Sequence, residues 1–194
     1  MKIVGLTGGI GTGKSTVGKL FKVLGIPVYN SDERAKEMYF LPEVKEKVIT
    51  LLGKEVYHTD GSLNRAYISQ KIFSDSSLLS KINGIIHPAV EKDFQSFIES
   101  NREQKYIIKE TALLFETGLY KKVDKIILVM APLEERLKRV IERDKSSRED
   151  VLKRIRYQMP DEEKQPISDF VIDNNETEGL IPQVLSIHQK LQHA

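Results

Sequence analysis

The chain has 194 residues, of which 40% are hydrophobic and 30% are charged, and its formal net charge is +2. This composition is typical of a globular protein with one buried core, and the near-neutral charge excludes a strong field that would recruit nucleic acid or an acidic membrane. The absence of cysteine excludes disulfides, thiolate zinc sites and a cysteine nucleophile. No apolar run approaches the ~20 residues that span a bilayer, and glycines interrupt the short apolar N-terminus, so we expect a cytoplasmic protein.

Strand and helix patterns alternate along the chain. Short apolar runs bounded by turn residues predict five strands, at residues 3–6, 26–29, 106–108, 125–129 and 170–172. Helical spacing predicts helices at 14–24 and 178–191, while 32–100 forms several helices with one candidate short strand near Val56. Pro88 is expected to interrupt these helices. The alternation predicts an α/β fold in three layers, a short parallel sheet of about five strands covered by helices on both faces.

A glycine-rich motif follows the first predicted strand. Residues 8–15 fit G-x-x-x-x-G-K-[ST], with a strand before and a helix after, as this phosphate-binding loop requires. Glycines let successive backbone N–H groups turn toward one anion, and the following helix adds its positive dipole end. No dinucleotide-binding G-x-G-x-x-G can be drawn through these glycines. The predicted ATP-phosphate site comprises Gly9, Ile10, Gly11, Thr12, Gly13, Lys14, Ser15 and Thr16.

Two classes of protein use such a loop, namely kinases and nucleotide-driven switches or motors. In a kinase Lys14 would neutralise the β- and γ-phosphates, and the Ser15 hydroxyl would bind Mg²⁺. The guanine-reading N-K-x-D and the switch motif D-x-x-G of GTPases are both absent. Residues 106–110 imitate the second motif of motors only in part, because Lys109 interrupts the apolar run. A kinase is therefore the better fit.

A kinase also needs a base close to the acceptor hydroxyl, and Asp32 is the first candidate. It follows the second predicted strand, and the carboxyl ends of parallel strands share one edge of the sheet. Ser31 or Asp32 could equally serve only to cap the next helix. Position alone leaves the two interpretations even.

Six segments resemble one family in order and spacing. They are GLTGGIGTGKST at 5–16, SDERAK at 31–36, IHP at 86–88, LLFETGLY at 113–120, RLKRVIERD at 136–144 and FVIDNN at 170–175. Over almost its whole length the chain resembles dephospho-CoA kinases, members of the nucleoside-monophosphate-kinase-like P-loop group. The resemblance implies ATP-dependent phosphorylation of the ribose 3′-hydroxyl of dephospho-CoA, the last step of coenzyme A synthesis. It also implies a core at about 1–31, 101–141 and 166–194, an acceptor-binding helical region at about 32–100 and a lid at about 142–165.

The same resemblance implies roles for individual residues on the acceptor side. Asp32 matches the Asp that accepts the proton of the 3′-hydroxyl, which favours catalysis over capping. His87 matches a His-Pro step, where a substrate contact and a histidine that fixes a helix start before Pro88 remain equally open. The expected acceptor-binding residues are Thr7, Asp32, His87, Leu113, Leu114, Glu116 and Tyr120.

Arginines in the fifth resembling segment are expected to reach ATP. Arg139 and Arg143 are four residues apart, so a helix would present both on one face. In the group such a pair stacks on adenine and grips phosphate, which makes both candidate catalytic residues together with Lys14 and Asp32. The remaining lid cations, Arg148, Arg154 and Arg156, are expected mostly to form solvated ion pairs. Asn174 and Asn175 would hold adenine or form a turn.

Three residues depart from the family pattern. Asn30 replaces the first acid of a D-x-D, which should alter Mg²⁺ affinity or the pH dependence of the reaction. Ala112 replaces the Pro of P-L-L-F-E, and Lys36 replaces a frequent Arg, which turns a bidentate contact into a single one.

The expected substrates are ATP and dephospho-CoA, with Mg²⁺ as cofactor. We expect no nucleic acid or membrane partner, and a monomer or weak homo-oligomer. Alternatives are another P-loop kinase of nucleosides or nucleotides, and a nucleotide-responsive switch without catalysis.

Overall fold

The computed structural model describes residues 1–175, 177 and 179–193. The chain divides into two compact units, one formed by Met1–Asn30 and Asn101–Ala194 and the other by Ser31–Ser100. The strands are β1 (Lys2–Thr7), β2 (Val28–Asn30), β3 (Tyr106–Glu110), β4 (Lys125–Met130) and β5 (Phe170–Asp173). The helices are α1 (Lys14–Val23), α2 (Ser31–Met38), α3 (Pro42–Leu52), α4 (Arg65–Ser74), α5 (Ser77–Ser100), α6 (Leu133–Asp144), α7 (Arg148–Arg156), α8 (Asp161–Lys164) and α9 (Leu180–His193).

The first unit contains the five-stranded parallel sheet, in the order β2-β3-β1-β4-β5. β2 lies two positions from β1, and β3 lies between them. The chain then crosses to the other side of β1, where β4 and β5 follow. Open α/β sheets bind ligands at the carboxyl edge where the strand order reverses in this way. The predicted fold class is confirmed, and the site is expected at the carboxyl end of β1.

The core of the first unit lies on both faces of this sheet. Val4 and Leu6 of β1 are fully buried and pack with Val17 and Phe21 of α1 and with residues of α9. On the opposite face Leu114 is fully buried in a second cluster that includes Phe115 and Ile126. The central strands are mainly apolar because both of their faces are covered, and their polar residues lie at the strand ends. This packing fixes the position of the loop that leaves β1.

The second unit is helical, and two predictions within it are corrected. In place of a strand near Val56 there is a 3₁₀ turn at Lys54–Val56, and Tyr57 forms only an isolated bridge with Leu63. Pro88 does not interrupt a helix but lies inside α5. A proline lacks the helix N–H and its ring crowds the carbonyl four residues earlier, so it is unusual inside a helix. Pro88 is nevertheless an exposed residue within the continuous helix Ser77–Ser100.

Two further boundaries differ from the sequence pattern. The second strand begins at Val28 rather than at 26, since Pro27 precedes it. The last helix is described from Leu180, and the predicted start at Glu178 lies outside the described residues. Throughout the described part of the chain, every helix is too short or too polar to cross a membrane.

Candidate active site

The P-loop (Gly8–Ser15) connects β1 to α1 at the carboxyl edge of the sheet. Gly13, which immediately precedes α1, has φ 95°, a left-handed conformation that a residue with a Cβ adopts only under strain. Thr16 and Val17 then donate backbone hydrogen bonds to the Gly13 carbonyl, at 3.0 and 3.1 Å. The loop thus leads directly into a helix N-terminus, which attracts anions.

Lys14 folds back over this loop. Its Nζ donates to the carbonyl oxygen of Gly8 at 2.8 Å and to that of Gly9 at 3.2 Å. Thr12 Oγ1 also donates to the Gly9 carbonyl, at 2.9 Å. The Gly8 and Gly9 carbonyl groups thus accept hydrogen bonds from side chains of the loop itself. The Lys14 ammonium lies beside a loop whose amides can bind phosphate.

Ser15 contacts a carboxylate that the sequence analysis had set aside. Its hydroxyl donates to Glu110 Oε1 at 2.9 Å. Glu110 ends β3, is 5% exposed and pairs in register with Leu6 of β1 and Asn30 of β2. An apolar strand that ends in an acid does indicate such a carboxylate, but Lys109 interrupts the apolar run before Glu110 and weakens the pattern. An acid next to the P-loop serine is the expected position of a carboxylate that helps to bind Mg²⁺.

The two candidate adenine residues have different surroundings. Asn174 Nδ2 donates to the Thr12 carbonyl of the P-loop at 2.8 Å. Asn175 closes a turn, because its Nδ2 donates to Asp173 and its Oδ1 accepts from the Thr177 amide at 2.9 Å. The structure therefore brings Asn174 to the P-loop. A cavity of about 340 Å³ is lined by Met130, Ala131, Pro132, Gln165, Val171, Asp173 and Asn175.

The two arginines predicted to share one face of a helix both lie on α6 but have different partners. Arg139 is near the P-loop, with Nη1 at 3.5 Å from the Gly11 carbonyl, and its Nη2 pairs with Glu135 at 2.9 Å. Arg143 instead forms a double hydrogen bond with Asp144, at 2.7 and 3.2 Å. The hydrogen bond from Arg143 lowers the pKa of Asp144, and the same bond raises the pKa of Arg143.

Arg148 and Arg154 form exposed ion pairs. Arg148 pairs with Glu134 at 2.7 Å, and the hydrogen bond from Arg148 lowers the pKa of that carboxyl. Arg154 pairs with Asp144 at 2.9 Å. Arg156 is exposed at the end of α7.

Several predicted acceptor residues lie in the first unit. Thr7 ends β1 and is fully buried, and its Oγ1 has no hydrogen-bond partner within the described residues. Leu113 is exposed, whereas Leu114 is wholly buried and packs in the core. Leu114 therefore supports the segment from inside, rather than offering a surface to a substrate.

The end of the same segment is tied to the chain beyond α7. Glu116 Oε1 accepts a hydrogen bond from the Met159 amide at 2.8 Å and lies 3.6 Å from the ammonium of Lys164. Tyr120 packs its ring on Phe115, with centroids 5.5 Å apart.

The remaining predicted acceptor residues belong to the second unit. Asp32 is exposed in the first turn of α2. His87 is exposed in the middle of α5, so the interpretation that it fixes a helix start is wrong. Arg34, an unpredicted cation, binds Asp93 through two hydrogen bonds and thereby joins α2 to α5.

Fold and site together define a P-loop kinase. A doubly covered parallel sheet presents a glycine-rich loop, a lysine and a serine–carboxylate pair at one edge. This combination binds the phosphates of a nucleotide and neutralises their charge, which is the chemistry of phosphoryl transfer.

Comparison with known proteins identifies the family. The family model for dephospho-CoA kinase matches residues 2–179. A dephospho-CoA kinase of Bacteroides fragilis is 40% identical, covering 98% of this chain and 95% of its own. A solved structure from Thermus thermophilus has a TM-score of 0.86 at 34% identity, covering 97% of this chain and 96% of its own. A dephospho-CoA kinase of Campylobacter jejuni shares the fold, with a TM-score of 0.73 at 22% identity, covering 98% and 97%. The chain belongs to the dephospho-CoA kinase family.

Proposed function

We propose that the chain transfers the γ-phosphoryl group of ATP to the ribose 3′-hydroxyl of dephospho-CoA. The observation that carries the proposal is the Ser15–Glu110 hydrogen bond beside the P-loop, in a chain of this family. The acceptor oxygen forms a bond to the γ-phosphorus, the bond from that phosphorus to ADP breaks, and the products are ADP and coenzyme A. The acceptor hydroxyl loses one proton, for which a base is required.

ATP would be held mainly by backbone amides of the P-loop and by cations. Lys14 already stands over the loop and would neutralise the β- and γ-phosphates. Arg139 of α6 also lies beside the loop, with Nη1 at 3.5 Å from the Gly11 carbonyl, and would add a second positive charge. Arg143 would join them only after leaving Asp144. Asn174 would position the loop beside the adenine of ATP, since its side-chain amide donates a hydrogen bond to the Thr12 carbonyl.

Mg²⁺ fits the oxygen groups beside the loop. Ser15 Oγ and the Glu110 carboxylate are hard oxygen donors within 2.9 Å of each other. Among residues 1–175, 177 and 179–193, no three His, Cys, Asp or Glu side chains form a metal-binding group. Mg²⁺ bound to nucleotides commonly uses one or two protein ligands, with phosphates and water completing its shell. When bound, the ion would neutralise charge on the phosphates.

Asp32 would accept the proton of the 3′-hydroxyl. It follows β2 by two residues, and the last residue of β2, Asn30, pairs with Glu110 in the sheet. Its carboxylate is exposed, as a group that must meet an external substrate requires. Thr7, His87, Leu113, Glu116 and Tyr120 remain candidate acceptor contacts by family resemblance.

The helical region at about 32–100 would bind the acceptor, and the lid at about 142–165 would close over the phosphates. Closure would exclude water, which otherwise would accept the phosphoryl group in place of the substrate. With this function we expect a cytoplasmic enzyme that is a monomer or weak homo-oligomer and has no nucleic acid or membrane partner.

The deciding experiment measures ADP release from Mg²⁺-ATP with and without dephospho-CoA, and follows coenzyme A by mass. We expect ADP and coenzyme A to form in equal amounts only when the acceptor is present. ADP release with a nucleoside or nucleotide instead would indicate another small-molecule kinase. Tight ATP binding without any acceptor-dependent release would indicate a switch.

A further inference from the structure

The two peptide groups of Ile10 are held by side chains from distant parts of the chain. The Ile10 N–H donates to Gln158 Oε1 at 2.8 Å. The Ile10 carbonyl accepts from Arg136 Nε at 3.0 Å. Arg136 lies in the first turns of α6, and Gln158 follows the end of α7. Both backbone polar groups of a residue at the centre of the P-loop are therefore fixed from outside the loop.

The composition of the P-loop explains why it needs this restraint. Ile10 stands between Gly9 and Gly11, and Gly11 has φ 81°. Glycine populates positive and negative φ about equally, so such a segment has little conformational preference of its own. An anion-binding loop works only if its amides keep one orientation. Tertiary hydrogen bonds must supply the order that the loop sequence lacks.

Arg136 is itself held in place. Its Nη1 forms an ion pair with Asp161 Oδ2 at 3.0 Å, and the two side chains are only 9% and 11% exposed. The guanidinium lies against Gly9, where an added Cβ would be 2.1 Å from Nη2. The guanidinium thus occupies the space that a side chain at residue 9 would fill.

The segment that contains Gln158 also contacts the residues that follow β3. Gln158 Nε2 lies 3.4 Å from the Ala112 carbonyl, to which it donates. The next residue, Met159, donates its amide to Glu116. One short segment at the end of the lid therefore touches both the P-loop and residues 112–116.

We propose that Gln158, with Arg136 as its partner, is a positioning residue that orients the Ile10 peptide for phosphoryl transfer. The proposal rests on the kinase function above. Gln158 acts through Ile10 and not on the reacting atoms. Because small displacements of groups around a transferred phosphoryl cost rate steeply, loss of either hydrogen bond should lower turnover more than substrate affinity.

The first test removes the hydrogen-bond acceptor and keeps the volume. Gln158→Leu should lower kcat about tenfold or more while the KM of dephospho-CoA changes by less than about twofold. Gln189→Leu, an exposed glutamine of α9, is the matched control and should leave both constants unchanged. A kcat for Gln158→Leu within about twofold of the unsubstituted enzyme would overturn the proposal.

The second test uses pH. Gln158→Glu keeps an oxygen for the Ile10 amide but adds a negative charge near the phosphates, which raises the pKa of the new carboxyl. Its activity relative to the unsubstituted enzyme should therefore increase from about pH 8 to about pH 5.5, as the charge is removed. Arg136, Asp161, Glu116 and Lys164 face this segment in both enzymes, so the ratio compares proteins that differ only at residue 158. A flat ratio would contradict a role beside the phosphates.

The third test does not depend on catalysis. Hydrogen exchange of the Ile10 amide, followed by NMR without ligands, should become faster in Gln158→Leu and stay unchanged in Gln189→Leu. Faster exchange with an unchanged rate of phosphoryl transfer would overturn the positioning role while leaving the kinase function intact. Absence of acceptor-dependent ADP release from the unsubstituted chain would instead defeat the proposed function, with the Ile10 contacts still measurable.

Discussion

The two ends of α6 hold arginines in opposite surroundings. Arg136, near the start, has a side chain that is 9% exposed and contacts the P-loop and Asp161. Arg143, near the end, is 63% exposed and binds its neighbour Asp144. Residue type and helix are the same, so what packs against each position decides the role. Buried charges are costly to leave unpaired, whereas exposed pairs contribute little.

The same contrast separates two wider regions. The P-loop is held by buried or half-buried contacts from β3, α6 and the chain after β5. The α6–α7 surface, which we define as Glu134, Arg143, Asp144, Arg148 and Arg154, consists of exposed ion pairs. Substitutions at the P-loop should therefore have large effects, and substitutions on the α6–α7 surface should have small ones.

Lys14 should give the largest effect. Lys14→Met removes the cation that faces the β- and γ-phosphates, and we expect kcat to fall by at least about 10²- to 10³-fold. Thermal unfolding should change little. Steady-state kinetics measures the loss, and Lys19→Met, an exposed lysine of α1, is the control. Near-normal turnover in Lys14→Met would contradict the expectation that substitutions at the P-loop have the largest effects.

Glu110 should come second. Glu110→Gln keeps an oxygen for the Ser15 hydroxyl but removes the charge, so half-maximal activity should require about ten- to one-hundredfold more Mg²⁺. A titration of activity with Mg²⁺ at saturating ATP measures this, with the exposed Glu103→Gln as control. An unchanged Mg²⁺ requirement would assign Glu110 to structure alone.

Glu110 also shows which parts of the site could be predicted from the sequence and which could not. The five strands and the P-loop were predictable, because apolar runs and the G-K-S motif are local patterns. That β3 lies beside β1 is a property of strand order, which no local pattern encodes, and so the partner of Ser15 was missed. Arg136 and Gln158 were missed for the same reason, since they are 126 and 148 residues from Ile10.

The helical region gives the complementary lesson. Pro88 was expected to break a helix because its ring crowds the preceding turn. The structure nevertheless continues α5 through Pro88, which no local pattern indicated. Position after the second strand made Asp32 a candidate, but only family resemblance favoured catalysis over capping, and only resemblance indicated His87. The burial of Leu114, set by contacts across the sheet, likewise could not be predicted from its motif.

A direct comparison of the two arginines should give the next effect. Arg136→Gln leaves Asp161 without its partner, and we expect a loss of roughly 3 kcal/mol in the free energy of unfolding, at the lower end for broken buried pairs. The ammonium of Lys164, 3.8 Å from Asp161, compensates in part. Arg143→Gln should cost about 0–1 kcal/mol.

Denaturant unfolding of both variants measures this difference. The double variant Arg136→Gln/Asp161→Asn should regain part of the stability, because no buried charge is then left unpaired. Equal losses of unfolding free energy for Arg136→Gln and Arg143→Gln would contradict this expectation, since burial of the arginine would then not decide the size of the loss.

Asp144 should give the smallest effect, and with the opposite sign. Its carboxylate holds both Arg143 and Arg154, at 2.7 and 2.9 Å, in competition with any phosphate that these arginines could bind. Asp144→Asn should therefore lower the KM of ATP, by about two- to threefold, because exposed pairs are weak. Glu149→Gln, an exposed acid of α7, removes the same charge from the same surface and corrects for long-range electrostatics.

The pH dependence follows from the direction of the pKa shift. The hydrogen bond from Arg143 holds the pKa of Asp144 below its ordinary value of 3.8, so the ion pairs are fully formed above that pH. They weaken only as the pH falls through the lowered pKa. The ratio of ATP KM values between Asp144→Asn and the unsubstituted enzyme should therefore be constant from about pH 6 to about pH 9. High salt should shrink the difference, because exposed charges are screened. A KM that rises in Asp144→Asn would mean that the carboxylate holds Arg143 and Arg154 ready for ATP instead of competing with it.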